Sequence, residues 1–242
     1  MKRLLVLLLF FVPLREVENI KLSFPAATQY REIFFNYAND NFSQELNRLD
    51  GRITAEIKST NFLRLNLNFR IIPGTEMLEK LDRETREVVN NLLANSLTFD
   101  SYFKNISFFL EKEIEYSEAD LPQDEIAVLI NRRANCVGYA NLTAFLLNCV
   151  GVKNRFARGF YLQNGDGQTL IPIPHKWIEI FLGNGGRFFY DPQRQRFSTN
   201  YIVARYDVDF TKIRKFKILL LEKSKRIINL KDKNEKKEKT QR

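Results

Sequence analysis

Three side chains in this sequence have the chemistry of a nucleophile, its general base and a group that orients the base. The chain contains two cysteines, Cys136 and Cys149, and one histidine, His175. Asp191 supplies a carboxylate immediately before Pro192. A cysteine thiolate can attack a carbonyl carbon when an imidazole takes its proton and a carboxylate holds that imidazole in place. Cys136, His175 and Asp191 are therefore the predicted catalytic residues, provided that the fold brings them together.

The position of Cys136 at the start of a predicted helix favours its thiolate. Asn135 is a good N-cap for a helix that runs toward Cys149, which places Cys136 in the first turn. There the helix dipole stabilises a thiolate, and backbone N–H groups without intrahelical partners can hold an oxyanion. Cys149 is predicted to be a small buried residue. A disulfide between the two is not expected, because a single helix would separate them by roughly 20 Å.

His175 and Asp191 are predicted to lie on one hairpin. His175 begins the strand "HKWIEIFL", whose isoleucines are expected to face the core. This leaves His175 and Trp177 on the opposite face, where the cysteine helix could lie. Asp191 ends the next strand, "RFFYD", and a two-residue turn would put it on the wrong face, since paired positions in a hairpin add up to a constant. The site therefore requires a three- or five-residue loop, or a bulge, at "GNGG", residues 183–186.

The remaining pattern predicts an α+β fold. Four stretches within residues 17–72 alternate apolar and polar side chains and are predicted to be strands: "NIKLSF", "REIFFNYA", "RITAEIKS" and "FLRLNLNFRII". From residue 76 the period becomes helical, with Thr75 as N-cap, over "EMLEKLDRETREVVNNLLANSL", "TFDSYFKNISFFLEKEIEYS" and "QDEIAVLINRR". After the cysteine helix, "VKNRFARGFYL", "HKWIEIFL" and "RFFYDP" are predicted strands. This order indicates a core of helices packed on an antiparallel sheet, preceded by a small β-rich segment.

Four blocks of the sequence resemble the transglutaminase-like superfamily of papain-type cysteine enzymes. They are "ANCVGYA", "GVKNRFARGFYL", "HKWIE" and "YDP". The predicted helix at 98–116, which ends in "EIEYS", also fits the element that precedes the cysteine in the family, so the resemblance covers about residues 98–192. The order and spacing of the four blocks carry the resemblance, since any one block alone would be a weak signal. The resemblance implies a transglutaminase-like, cysteine-proteinase-type core. It also implies that Cys136 is the nucleophile, His175 the base and Asp191 the group that orients the base.

Two positions depart from the family pattern. Ala134 stands where glycine is usual, and Gln193 where threonine is frequent. Neither change removes a reacting group, although Ala134 could narrow the approach to the sulfur. Trp177 is expected to be a wall that packs on the histidine or the helix, and Glu179 is expected to be structural and paired with an arginine.

The resemblance implies amide chemistry through a thioester, and the sequence leaves the acceptor open. Water would give hydrolysis and an amine would give transfer; hydrolysis of a peptide or peptide-like amide is favoured, with a protein or peptide as the substrate. Zinc is not expected, because no paired Cys-x-x-Cys or His-x-x-x-His spacing is present, and the proposed chemistry implies no metal or organic cofactor. The alternative function is a binding or scaffold module that keeps the fold without turnover. Residues 162–174 could be its lid, or a specificity loop.

The basic composition does not indicate a nucleic-acid protein. The formal net charge is +9, but residues 222–242 hold nine Lys and Arg against four Asp and Glu, so +5 of that charge lies in one terminal stretch. The rest of the chain shows no interleaving of aromatic residues with arginine of the kind that a stacking platform needs. Residues 222–242 are expected to be a charged, disordered tail, with contact to acidic lipid or nucleic acid as the alternative interpretation.

The N-terminus predicts export. Residues 1–16 combine Lys2 and Arg3 with the apolar run Leu4–Leu14, which is too short to span a bilayer as a helix but typical of a secretory signal. No Ala-x-Ala-like cleavage site follows, so either atypical cleavage or an uncleaved membrane anchor is expected, with a buried first element as the alternative. The predicted organisation of this periplasmic, cell-surface or secreted protein is a signal or anchor (1–16), a β-rich segment (17–74), a core (75–221) and a tail (222–242).

Overall fold

The computed structural model describes residues 14–60, 67–74, 78–94, 96–210, 213 and 216–229. Within these ranges the helices are α1 (Thr28–Ile33), α2 (Arg83–Leu93), α3 (Phe99–Glu113), α4 (Glu125–Asn131) and α5 (Cys136–Asn148). The strands are β1 (Leu14–Pro25), β2 (Tyr37–Ala38), β3 (Phe42–Leu49), β4 (Arg52–Thr60), β5 (Glu115–Tyr116), β6 (Arg133–Ala134), β7 (Asn154–Asn164), β8 (Thr169–Phe181), β9 (Arg187–Tyr190), β10 (Tyr201–Ala204) and β11 (Ile218–Asn229).

One nine-stranded antiparallel sheet contains both the first and the last strand of the described residues, β1 and β11. Its strand order is β10-β7-β8-β11-β1-β4-β3-β2, and β9 pairs with β8. A bridge between Phe34 and Ala204 joins the segment before β2 to β10, so the two ends of the sheet meet. The short strands β5 and β6 form a separate parallel pair beside the start of α5. The strands of the predicted β-rich segment thus belong to the same sheet as the core.

Helices cover the part of the sheet formed by β8 and β9. Residues of α2, α3, α4 and α5 form one hydrophobic cluster with Ile178 and Ile180 of β8. Trp177 points the other way, into a second and largely aromatic cluster made with β1, β4, β7 and β10. The fold is therefore an α+β core of helices on an antiparallel sheet, as predicted. The cysteine helix, however, packs on the isoleucine face and not on the face of Trp177, because α5 is apolar on most sides and the isoleucines complete its burial.

Local capping signals place the helices well, with one exception. Thr98 and Ser101 form a capping box at the start of α3, and the Asp124 side chain caps α4. The first predicted helix is interrupted: residues 78–79 are helical, a turn follows at 80–82, and Asp82 accepts a hydrogen bond from the Thr85 N–H and starts α2 at Arg83. The predicted N-cap of that helix, at residue 75, lies outside the described residues.

The predicted strands of the N-terminal part are only partly correct. "REIFFNYA" begins inside helix α1 and contributes only the two residues of β2, and residues 67–72 of "FLRLNLNFRII" form no strand apart from a single bridge between Arg70 and Thr98. Residues 61–66 lie outside the described residues. Strand β3 was not predicted, because five of its eight side chains are polar and do not alternate regularly with apolar ones. It forms through a hairpin with β4, whose Asp50-Gly51 turn has positive φ at both residues, as an Asp-Gly hairpin turn requires.

The C-terminal stretch differs from its prediction in residues 222–229. These were expected to be part of a disordered tail, but they lie in β11, which pairs along the length of β1 and briefly with β8. The mixed charges of this stretch find opposite charges across the ladder, with Glu18 opposite Lys225 and Lys21 opposite Glu222. Residues 230–242 lie outside the described residues.

The predicted N-terminal signal falls mostly outside the described residues, which begin at Leu14. The backbone of residues 14–16, assigned to the signal or anchor, already forms the start of β1. Across the described ranges, no helix combines the length and apolar character needed to cross a membrane.

Candidate active site

The first turn of α5 presents Cys136 as the sequence predicted. The Asn135 side chain accepts hydrogen bonds from the backbone N–H groups of Val137 and Gly138, at 2.8 and 3.4 Å. The Asn135 N–H in turn donates to the side-chain oxygen of Gln123 at 2.9 Å, which fixes the residue that precedes the cysteine. The Asn135 cap accepts from the N–H groups of the two residues after Cys136 and not from the Cys136 N–H itself. Among the described residues no acceptor pairs with the Cys136 N–H, so this group can bind a ligand.

The Cys136 sulfur lies at a gap in the pairing of β8. On the edge of β8 that faces away from β7, β11 pairs only with Thr169–Leu170 and β9 only with Ile178–Phe181. Between these two contacts, the backbone N–H of Lys176 lies close enough to Cys136 to lower the pKa of its thiol. The helix thus places its first residue where a neighbouring strand would otherwise continue, and the sulfur comes beside His175.

His175 and Asp191 form a buried hydrogen-bonded pair. Nε2 of His175 lies 2.7 Å from Oδ2 of Asp191, and the aspartate side chain has no solvent exposure. The Cys136 thiol also interacts with this imidazole closely enough to help raise the pKa of His175. The three side chains predicted from the sequence are therefore brought together, in the order Cys136, His175, Asp191.

Groups from the chain after β9 hold the Asp191 carboxylate. The Tyr201 hydroxyl donates to Oδ2, and the backbone N–H groups of Gln193 and Arg194 lie 3.1 and 3.4 Å from Oδ1. In addition, Nε of Arg194 lies 3.9 Å from Oδ2 of Asp191. The carboxylate is thus fixed at both oxygens, and Gln193 serves it through a backbone N–H, which any residue except proline provides.

The hairpin turn between β8 and β9 has the length that the site requires. Leu182 N donates to Gly186 O at 2.7 Å, and Gly185 N donates to Leu182 O at 3.0 Å, which leaves a three-residue loop from Gly183 to Gly185. Gly185 has φ +85°, the left-handed conformation expected at the last position of such a loop. The resulting register pairs Ile178 with Tyr190, so His175 and Asp191 share a face. The predicted alternative of a three-residue loop is confirmed.

Electrostatic coupling favours the charged forms of both reacting groups. Burial acts to raise the pKa of the Cys136 thiol, but the hydrogen bond and charge of His175 and the Lys176 N–H lower that pKa below its ordinary value. Burial also opposes the charged imidazole, yet its bonds to Asp191 and Cys136 raise the pKa of His175 to about 9. The two groups thus stabilise each other as thiolate and imidazolium. In contrast, burial raises the pKa of the Cys149 thiol to about 11.

Trp177 and Glu179 have packing and charge-pairing partners that agree with their predicted structural roles. The indole of Trp177 is fully buried, with its ring centroid 6.2 Å from that of His175 and the planes 27° apart. The buried Glu179 carboxylate accepts from Nε and Nη2 of Arg155, each at 2.7 Å, and from the Tyr37 hydroxyl and the Asn39 amide. This cluster ties β2 to β7 and β8 and shares no hydrogen bond with the three predicted site residues.

The methyl group of Ala134 is buried beneath the first turn of α5. A Cβ added at Gly138 would lie 2.9 Å from the Ala134 methyl and 2.4 Å from Oε1 of Gln123, so the space beneath the first turn of α5 is filled. Ala134 belongs to the hydrophobic core cluster of the helices, and its effect on the approach to the thiol stays a prediction.

Three residues around the Cys136, His175 and Asp191 side chains were not found by sequence reasoning. Lys176 is buried, with Nζ 2.8 Å from the Asn141 side-chain oxygen and 3.6 Å from the Phe156 ring centroid; burial and the nearby Arg158 lower its pKa to about 8. Arg194 lies over the Tyr161 ring at 3.6 Å, and Tyr201 holds Asp191. No local pattern marks these residues, since each depends on contacts between separate strands.

The stretch predicted as a lid or specificity loop is part of the sheet. Residues 162–164 end β7, residues 169–174 begin β8, and only residues 165–168 form the turn between them. The apolar and polar residues of "TLIPIP" lengthen the strand that carries His175, so no separate loop lies over the thiol in this part of the chain.

The comparisons with known proteins agree with the sequence motifs. Residues 86–192 match the family model of the transglutaminase-like superfamily, a range that contains Cys136, His175 and Asp191. This part of the chain is a transglutaminase-like core, and the resemblance seen in the sequence is confirmed. A search of curated proteins gave no match.

Two solved structures illustrate the similarity. A candidate cysteine protease from Cytophaga hutchinsonii is 12% identical, with 90% of this chain and 91% of that chain covered and a TM-score of 0.46. The periplasmic domain of TgpA from Pseudomonas aeruginosa is 15% identical, with 73% of this chain and 70% of that chain covered and a TM-score of 0.46.

Proposed function

We propose that this protein is a cysteine-dependent amide hydrolase, with Cys136 as nucleophile, His175 as general base and acid, and Asp191 as the group that orients the imidazole. The observation that supports this most directly is the 2.7 Å hydrogen bond between His175 and the buried Asp191 carboxylate, with the Cys136 thiol close enough to help raise the pKa of the same imidazole. The substrate class that fits the proposal is a peptide or peptide-like amide.

In the proposed reaction, the Cys136 thiolate forms a bond to the carbonyl carbon of the amide, and the carbonyl π electrons move to oxygen. The oxyanion collapses, the C–N bond breaks, and the amine leaves with the proton of the His175 imidazolium. Water then adds to the thioester as His175 takes its proton, and collapse releases a carboxylic acid and the thiolate. An amine in place of this water would give transfer.

One oxyanion donor can be assigned within this proposal. The Cys136 N–H is at the positive end of the α5 dipole and is not used by the Asn135 cap. The Gln123 amide, which lies next to the same turn, donates instead to Leu121 O at 3.0 Å, and its oxygen accepts from Asn135 N. It therefore supports the helix start.

The N-terminal signal supports a further part of the proposal, that the protein is exported and acts in the periplasm, at the cell surface or after secretion. Because β1 begins at Leu14, cleavage that leaves the sheet intact would fall before that residue. N-terminal sequencing of protein recovered from culture medium and from the membrane fraction tests this. An unprocessed chain confined to the cytoplasm would contradict it.

The activity is tested through the reactivity of the thiol, which needs no knowledge of the substrate. Iodoacetamide labelling of Cys136 and Cys149 is followed by peptide mass spectrometry from pH 5 to 10, with Cys149 as internal control. We expect Cys136 to react well below pH ~8.5, the ordinary thiol pKa, and Cys149 to stay protected. His175→Ala should return Cys136 to the profile of an ordinary thiol.

The rival function, a binding module without turnover, predicts another result. His175 is buried at 7% exposure while Cys136 keeps partial exposure, so small reagents can reach the sulfur. If Cys136 titrates like a free thiol, or is as protected as Cys149, the enzyme proposal fails and the binding module replaces it. If Cys136 is activated, screening of peptide amides with water and with added amines separates hydrolysis from transfer.

A further inference from the structure

The edge of β8 that leads to His175 has an unusual hydrogen-bonding character. Between its contacts with β11 at Thr169–Leu170 and with β9 at Ile178–Phe181, this edge has no strand partner among the described residues. Residues 171–174, "IPIP", occupy the gap and run directly into His175. Any chain that lies along this edge is therefore in line with the proposed active site.

The register shows which backbone groups point toward the gap. Leu162, which pairs with Pro172, donates its N–H away from β8 to Asn200 O, so the even-numbered residues of β8 do not bond to β7 here. The Leu220 N–H agrees, since it donates on this side to the carbonyl oxygen of Gln168, another even-numbered residue, at 2.8 Å. In an antiparallel strand the N–H and C=O of one residue point to the same side. The carbonyls of Pro172 and Pro174 therefore face the gap.

Proline makes this edge one of acceptors only. Pro172 and Pro174 have no N–H, so the gap presents two carbonyl oxygens and no backbone donor before Lys176. Such an edge cannot pair fully with another edge strand, which needs both donors and acceptors. It can still accept two N–H groups from an extended peptide, because residues two apart in such a peptide repeat at about 7 Å, the spacing of alternate carbonyls in β8.

An apolar cavity lies beside the same edge. It has a volume of about 640 Å³, and its walls include residues 171–174 of β8 together with Phe160, Phe210 and Phe216. Ile171 and Ile173 on its border are 50% and 37% exposed. Apolar side chains left exposed beside a cleft mark a binding surface more often than a stability feature.

We propose that this edge and cavity bind the substrate as an extended peptide with an apolar side chain, whose alternate N–H groups donate to the carbonyls of Pro172 and Pro174. The inference rests on the proposed function, since continuity with His175 and Cys136 is what selects a substrate as the occupant. It names the substrate class more closely: an apolar, unbranched peptide segment with free backbone N–H groups at two positions two residues apart.

The test uses peptide vinyl sulfones as probes. The Cys136 thiolate adds to the β-carbon of the vinyl group, and a proton from the imidazolium or water completes the addition without a leaving group. The rate of labelling is measured for acetyl-Leu-Leu-Leu-Ala-vinyl sulfone, for the matched seryl peptide and for methyl vinyl sulfone. We divide each rate by the rate with methyl vinyl sulfone, and we expect the resulting value to be at least tenfold higher for the leucyl probe than for the seryl probe.

Backbone methylation then tests the hydrogen bonds. A series of leucyl probes is made in which one backbone nitrogen at a time carries a methyl group. Methylation should lower the labelling rate about tenfold at two positions that lie two residues apart, and should have little effect at the position between them. Ile173→Ser should slow the leucyl probe without changing the iodoacetamide rate of Cys136. Leu219→Ser, a residue of similar exposure outside the cavity, is the matched control and should change neither rate.

The outcomes separate this inference from the proposed function. If Cys136 is activated but all peptide probes label it at equal rates, the substrate inference is overturned and the enzyme proposal stands. The same holds if the labelling rate does not alternate between successive N-methylated positions. If Cys136 is not activated, the same peptides as fluorescent amides are titrated against the Cys136→Ala protein. If these peptides do not bind, or if their affinity does not alternate between successive N-methylated positions, the inference is also overturned.

Discussion

His175 and Asp191 meet on one face of the β8–β9 hairpin because the turn between them has three residues. With Gly183–Gly185 as the loop, Ile178 pairs with Tyr190 and the imidazole Nε2 comes 2.7 Å from the carboxylate. A turn shorter by one residue would move the carboxylate to the opposite face. The geometry of the proposed site therefore depends on a loop that makes no contact with any reacting group.

Asp191→Asn should reduce the reactivity of Cys136. The amide can hold the wrong imidazole tautomer and cannot stabilise the imidazolium, so the pKa of the thiol should move back toward its ordinary value. We expect the iodoacetamide rate at pH 6.5 to fall about 10- to 100-fold, as measured by peptide mass spectrometry. Asp207→Asn, which changes an exposed carboxylate paired with Arg205, is the control. An unchanged pH profile in Asp191→Asn would remove Asp191 from the proposed site.

The pH dependence of stability should reveal the raised pKa of His175 once the thiol is removed. A folded pKa of about 9 against about 6.5 in the unfolded chain means that the stabilisation is complete below pH ~6.5 and is lost as pH rises through the folded pKa. In the wild type the Cys136 thiol changes the free energy of unfolding in the opposite direction with pH. Its pKa is lowered in the folded protein, so its stabilising contribution is lost as pH falls.

The Cys136→Ser variant isolates the histidine. Removing the thiolate removes one of the interactions that raise the imidazole pKa, so the folded value should lie between 6.5 and about 9. Its free energy of unfolding, from urea titrations at pH 6, 7.5 and 9, should decrease with rising pH. The double variant with His175→Gln should show a smaller decrease. Parallel pH profiles for the two proteins would contradict the raised pKa.

Glu179→Gln should affect stability and not thiol reactivity. The Glu179 carboxylate is fully buried and charge-paired with Arg155, so losing its charge leaves the paired groups less well satisfied and should cost roughly 2–4 kcal/mol. Glu115→Gln, in an exposed pair with Arg133, should cost less than about 1 kcal/mol. Urea unfolding gives both values. A large fall in Cys136 alkylation in folded Glu179→Gln would show that Glu179 belongs to the reactive site.

Gly159→Ala should be strongly destabilising. An added Cβ would lie 2.0 Å from the Ile202 carbonyl oxygen and 2.8 Å from the Trp177 ring, so β10 and the indole beside His175 would have to move. Overpacking of this kind typically costs about 1–3 kcal/mol and can cost more against backbone. Gly183→Ala, where an added Cβ meets nothing within 4 Å, is the matched control and should be close to neutral. Equal melting temperatures for the two variants would contradict the close approach at Gly159.

Features that depend on neighbouring residues were predictable. The Asn135 cap, the position of Cys136 in the first turn and the burial of Cys149 follow from local hydrogen bonding and apolar pattern. The parity of the β8–β9 turn was a geometric requirement of the assumed site, so it could be stated before any coordinates were known. The order of the motif blocks located the core that the family match covers.

Features that depend on pairing between distant strands were not predictable. Strand β11 was taken for a tail because its charges look solvated until β1 is placed beside it, and β3 is too polar to show a strand period. The gap in the edge of β8, which admits both the thiol and the proposed substrate, exists only because β9 and β11 stop short of each other.

The sequence by itself determined which residues could react and which local elements carry them, because capping, periodicity and turn parity act over a few residues. The tertiary structure decided which face of the sheet the cysteine helix covers, which groups hold Asp191, and how β8 presents Pro172, Pro174 and the Lys176 N–H along one edge. These depend on long-range strand pairing and on the competition of apolar faces for burial, whose free energy is set by the whole chain.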